Sequence, residues 1–171
     1  MGLCSISPVG RPSLAGVSAI VFAIVFAVVF APACASFEPE TGERLSACVD
    51  ADSDPNTTVS FARDLRPLVN GLVPGHKPCA NCHFPNSGTR AGFDQTNLDL
   101  TTLRWLRLGG NRTRDTIIVK GRPCQSALVQ KIRGTFGEGA RMPKGGPYLS
   151  PQQIQLFMDW IAEGAQGDDT E

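Results

Sequence analysis

The chain has 171 residues, enough for one compact domain and an additional terminal segment. Its 16 basic and 16 acidic side chains balance, so no overall positive field would gather phosphates, which argues against a nucleic-acid partner. Hydrophobic residues at 42% permit a core, while 18 glycines and 13 prolines point to short helices joined by many loops.

At the N-terminus, Arg11 is the only charged side chain before Glu38. An apolar run from Leu14 to Phe30, broken only by Gly16 and Ser18, ends in Ala31-Pro32-Ala33-Cys34. A basic start, an apolar stretch and small residues before a cut predict an export signal over residues 1–33. The alternative is an uncleaved membrane anchor, but the run is at the short end of the roughly 20 residues that span a bilayer. Small residues directly before Cys34 resemble a bacterial lipoprotein signal. That resemblance implies that Cys34 becomes the lipidated first residue, holding the mature chain to a membrane in the periplasm or at the outer membrane. Ala31 stands where that family usually has Leu, and Pro32 is uncommon, so cleavage after Ala33 or Ala35 by an ordinary peptidase stays open. Residues 34–58 carry six acidic side chains, with Pro39 and Pro55, and predict an acidic tether. The folded domain is expected over residues 59–165, followed by an acidic tail over 166–171.

The domain opens with a predicted helix from Val59 to Val69. Phe61, Leu65, Leu68 and Val69 share one face, and Pro67 is tolerable only within the first turn. A loop from Asn70 to Pro78 then leads to Cys79-Ala80-Asn81-Cys82-His83, the attachment pattern for c-type haem. On a helical turn, positions three and four apart share a face, so both thiols can reach one edge of a porphyrin. His83 can offer an imidazole nitrogen to the iron from the same side. Two other chemistries compete. A thioredoxin-like redox pair needs a βαβ frame, and the Pro74-Gly75-His76-Lys77-Pro78 stretch before the motif gives none. A zinc site could recruit His76, Cys79, Cys82 and His83, but adjacent Cys82 and His83 point in different directions.

Farther along, shorter helices are expected near Thr101 to Leu108, ended by Gly109-Gly110, and near Ser126 to Ile132. The last helix is the most strongly marked. Ser150 reads as its N-cap, Pro151 suits the first position, Gln153 completes a capping box and Gly164 lies just past the end. Ile154, Phe157 and Ile161 recur at helical spacing, with Trp160 beside them. Hardly any segment alternates as a strand, so the fold class is all-α. Haem iron in a pure electron carrier takes a second axial ligand, and methionine is the usual one. Met1 leaves with the export signal, and Met158 reads as core filler in the last helix. Met142 lies in a Gly- and Pro-rich loop that can wrap the far side of a ring, and is the expected ligand. His76, close to Cys79, is expected on the wrong side, in an exposed loop.

Taken together, the chain resembles a monohaem class I cytochrome c domain over Val59 to Ala165. The segment from Ser60 to Pro67, the Leu98-Asp99-Leu100 turn and Arg141-Met142-Pro143 are similar to cytochrome c modules common in lipoproteins of planctomycetes and myxobacteria. The resemblance implies one covalent haem c, thioether bonds at Cys79 and Cys82, and His83 and Met142 as axial ligands of the iron. It also implies an electron carrier with redox-protein partners rather than an enzyme with a small-molecule substrate. A haem-based sensor or structural lipoprotein, or a peroxidase-like enzyme with an open axial site, remain as alternatives. The long Asn70 to Pro78 loop and Cys124 depart from the family pattern. Cys48 and Cys124 are left over from the motif, and export favours their pairing in a disulfide. Ten basic residues between Arg104 and Lys144 face only Asp115 and Glu138, and clustering at a haem edge would steer acidic partners.

Overall fold

A computed structural model describes residue 45 and residues 47–171. The expected export signal, Cys34 and the start of the tether lie outside the described residues. Every regular element among the described residues is helical. None of these helices is long and apolar enough to cross a membrane.

The leading helix begins at Phe61, two residues later than expected, with Ser60 as its N-cap. The Ser60 side chain accepts the Arg63 N–H at 3.2 Å, and the Asp64 carboxylate accepts the Ser60 N–H at 2.8 Å. It is not one uniform helix, however. Phe61–Leu65 is a π-helical turn that passes into α1, Arg66–Asn70. Pro67 is the physical reason. It has no N–H to offer the carbonyl four residues back, and its ring crowds that carbonyl. The turn before it widens, and the Arg66 N–H bonds five residues back to Phe61. Gly71 ends α1 with φ at 77°, where an added Cβ would also strike the Pro78 ring.

Next come α2 (Ala80–His83), α3 (Ala91–Thr96), α4 (Leu103–Leu108), α5 (Ala127–Arg133) and α6 (Pro151–Ala162). Thr102 caps α4 by accepting the Trp105 N–H. Ser150 and Gln153 form the reciprocal capping box on α6, and Gly164 takes φ of 93° beyond its end. The core lies between the leading helix and α6. The rings of Phe61 and Trp160 stand 5.1 Å apart at 40°. Leu65, Leu103, Ile154, Met158 and Ile161 close around them, so Met158 is core filler, as its helical position predicts.

The packed body starts before Val59. A disulfide joins Cys48 to Cys124. Asp50 accepts the Cys124 N–H at 2.7 Å, and the Asp54 N–H donates to Asp159 on α6 at 2.9 Å. The segment that reads as a solvated tether thus bonds the domain, by the Asp50 carboxylate as acceptor and the Asp54 N–H as donor. The tail is held as well. Trp160 Nε1 donates to the Gln166 carbonyl at 2.7 Å, and Arg107 pairs with Asp169.

Candidate functional site

Pro78 delivers the chain to Cys79, whose φ and ψ of −65° and −36° are already helical. The N–H groups of Cys82 and His83 both bond the Cys79 carbonyl, at 3.2 and 3.0 Å. One short turn therefore carries both cysteines and His83. Both thiols are free and partly buried. Burial pushes the Cys79 thiol up to about 11. A dithiol working in redox exchange needs the opposite, a thiol made acidic by its surroundings. The Cys82 sulphur lies 3.9 Å from the Thr89 hydroxyl, which itself bonds the Asn81 carbonyl.

His83 is buried, and its Nδ1 lies 3.3 Å from the Leu98 carbonyl. A carbonyl only accepts, so Nδ1 carries the proton and Nε2 keeps its lone pair. Burial lowers the pKa of the ring, outweighing the Leu98 bond that raises it. The imidazole is thereby biased toward the neutral form with an unprotonated Nε2, the protonation state a metal-binding histidine requires. Space around the ring is tight. A Cβ on Gly92 would come within 2.8 Å of both Cε1 and Nε2, so α3 can lie against the imidazole only with glycine there.

His76 is not in an exposed loop. It is 7% exposed, and its Nε2 donates to the Leu68 carbonyl at 2.8 Å. Leu68 lies in the last turn of α1; its carbonyl accepts the Gly71 N–H at 3.2 Å, and His76 adds a second bond to the same oxygen from eight residues on. With His76 turned to α1, it is not gathered with the motif. Among the described residues no three His, Cys, Asp or Glu side chains come together to hold a metal ion. The zinc arrangement of His76, Cys79, Cys82 and His83 therefore does not form.

Met142 is half-buried, and its N–H bonds the Lys131 carbonyl at 2.9 Å. Its loop is joined to the approach of the motif. The Lys77 N–H donates to Pro147 at 3.0 Å, and Lys77 Nζ reaches Lys144 at 3.4 Å. The loop is stiffened from within by Arg141, which is buried, bonds the Ile132 carbonyl at 2.9 Å and stacks 4.3 Å from the Tyr148 ring. Arg141 is thus not part of a basic surface. Of the other basic residues in this region, Arg107 pairs with Asp169 and Arg112 with Glu138.

Sequence reasoning missed Gly92, the Leu98 carbonyl and the capping role of His76. A backbone carbonyl leaves no mark in a sequence. Gly92 stands in a stretch with no apolar stripe to flag a helix. Compared with protein-family models, curated proteins and solved structures, the chain gives no match.

Proposed function

We propose that the protein is an electron carrier with one covalent haem c, held at Cys79, Cys82 and His83. The observation that carries this reading is one helical turn bearing two free thiols beside a buried imidazole whose Nδ1 proton is given to Leu98. The donor set fits the group. Two cysteines three apart suit two thioether bonds on one porphyrin edge, and His83 Nε2 suits the iron. When bound, haem supplies the one-electron couple. The chain's part is to hold the ring, keep His83 neutral and oriented, and exclude water. Met142, on a loop tied to Lys77, would take the other axial position and favour ferrous iron. The Cys48–Cys124 disulfide suits an oxidising compartment, in line with export and with lipidation at Cys34. Redox proteins with acidic docking faces are the proposed partners, and a lipid at Cys34 would provide the membrane contact.

An optical spectrum tests the axial assignment. The oxidised protein should show the weak far-red band of a methionine–iron bond, and the reduced protein should resist carbon monoxide. Met142→Ala should lose the band, bind carbon monoxide and lower the potential. Ready binding of carbon monoxide by the wild type would remove Met142 as ligand and favour a sensor or a peroxidase-like enzyme.

A further inference from the structure

Arg66 is tied to the imidazole of His83 through a single turn of backbone. Its Nη1 donates to the Leu100 carbonyl at 2.8 Å, across 34 residues of chain. The Leu100 N–H donates to the His83 carbonyl at 3.2 Å. Two residues earlier, the Leu98 carbonyl accepts the His83 Nδ1 proton. The turn from Leu98 to Leu100 thus grips His83 by backbone and by ring, and Arg66 grips the turn. Arg66 is itself fixed: its guanidinium lies 4.8 Å over the Phe61 ring, and Nη2 bonds the Glu171 backbone oxygen.

We propose that Arg66 is a positioning residue that sets the Leu98 carbonyl against His83 Nδ1 and so tunes the imidazole as an iron ligand. This rests on the haem reading above. A well-placed acceptor on Nδ1–H makes Nε2 more basic and favours ferric iron. The other polar bonds on the turn are local, and the Leu100 side chain is buried in the core. Asp99 accepts from the Thr101 N–H and hydroxyl at 2.8 and 2.6 Å, and the Leu98 N–H bonds the Thr96 hydroxyl at 3.2 Å. Those bonds shape the turn and Leu100 seats it in the core, whereas Arg66 adds a polar tie from the leading helix to the Leu100 carbonyl. A guanidinium fork can bridge Leu100 and Glu171 at once, and a lysine ammonium on a flexible stem lacks that planar reach.

The test is Arg66→Lys in the full chain, which keeps the charge and removes the fork. Arg107→Lys is the control, since Arg107 bonds Asp169 and the carbonyls of Ala165 and Gly167 rather than the turn. In haem-loaded protein, exchange of the His83 Nδ1 proton should speed up roughly tenfold in Arg66→Lys, the factor set by losing one charge-assisted bond. The potential should rise, because a less basic imidazole favours ferrous iron. Arg107→Lys should leave both unchanged while losing comparable thermal stability. Unchanged exchange and potential in Arg66→Lys would overturn the proposal. If Arg66→Lys does not fold, native-state exchange in the wild type decides. The Arg66 Nη, Leu100 amide and His83 Nδ1 protons should open in one event, and independent opening would overturn the coupling. Haem attachment is scored first on the wild type. Its absence sinks the haem reading whatever Arg66 does, whereas attached haem with an unmoved His83 sinks only this inference.

Discussion

The two halves of this small body are stabilised in different ways. Where the leading helix meets α6, apolar side chains do the holding: α6 alone buries Ile154, Phe157, Met158, Trp160 and Ile161. Around the cysteine motif there is little to bury. In α2 the one buried residue is His83, and α3 has none. That second region is shaped by backbone bonds, by the close seat of Gly92 on the imidazole, and by its tether to the Met142 loop. A lobe without its own apolar core is where a large covalent cofactor would contribute most, because the ring would supply the missing hydrophobic surface.

The sharpest way to break this contrast is to empty the core side. Trp160→Ala should cost about 4 kcal/mol, by lost burial, the cavity and the Phe61 contact. Urea unfolding should show the loss as a lower midpoint with little change in slope. Removing the staple comes next. Cys48→Ser with Cys124→Ser frees a loop whose ends are 76 residues apart, and should cost about 3 kcal/mol. A reductant should lower the melting temperature of the wild type and leave that of the double variant unmoved.

The motif side should respond differently. Gly92→Ala should cost only about 1 kcal/mol in global stability, since α3 is solvent-facing and can shift. It should still displace the imidazole, and the axial-ligand bands should change out of proportion to the unfolding curve. An equal disturbance of both would show that the two regions are one cooperative unit. On the core side again, Ser150→Ala should remove half of the capping box and cost about 1 kcal/mol. The smallest effect concerns Asp64, whose carboxyl is held below the usual range first by the Arg63 side-chain bond and then by the Ser60 N–H, against a partial burial cost. The unfolded chain therefore takes up a proton before the folded one. This contribution is complete above about pH 4 and disappears as pH falls through the folded value. Asp64→Asn should lower the urea midpoint slightly at neutral pH and flatten its acid limb, with the two proteins converging at the lowest pH.

What was legible beforehand follows the same division. Ser150, Pro151 and Gln153 announce α6 because a cap is written within four neighbouring residues. Phe61, Leu65 and Trp160 declare themselves by spacing and size, and the cysteine motif by chemistry. Pro67 marked a defect, though not that the chain would resolve it by widening one turn. The short α3 was illegible: Arg90 precedes it without a side-chain cap, and it buries nothing. His76 and Asp50 misled for one shared reason. Their partners, the Leu68 carbonyl and the Cys124 N–H, are set by the folded path of the chain, 8 and 74 residues away. Polar residues with distant partners read as solvated until the fold brings those partners near.

The most direct test of the central claim is the mass of the intact mature protein, made with haem-maturation machinery and extracted with acidified acetone. The account predicts that colour stays with the polypeptide, and that Cys79 and Cys82 resist alkylation in the unfolded, reduced protein. Cys79→Ala with Cys82→Ala should return a colourless chain, lighter than the wild type by one haem apart from the two substitutions. Colour passing into the solvent from the wild type, with both cysteines alkylating freely, would contradict the account.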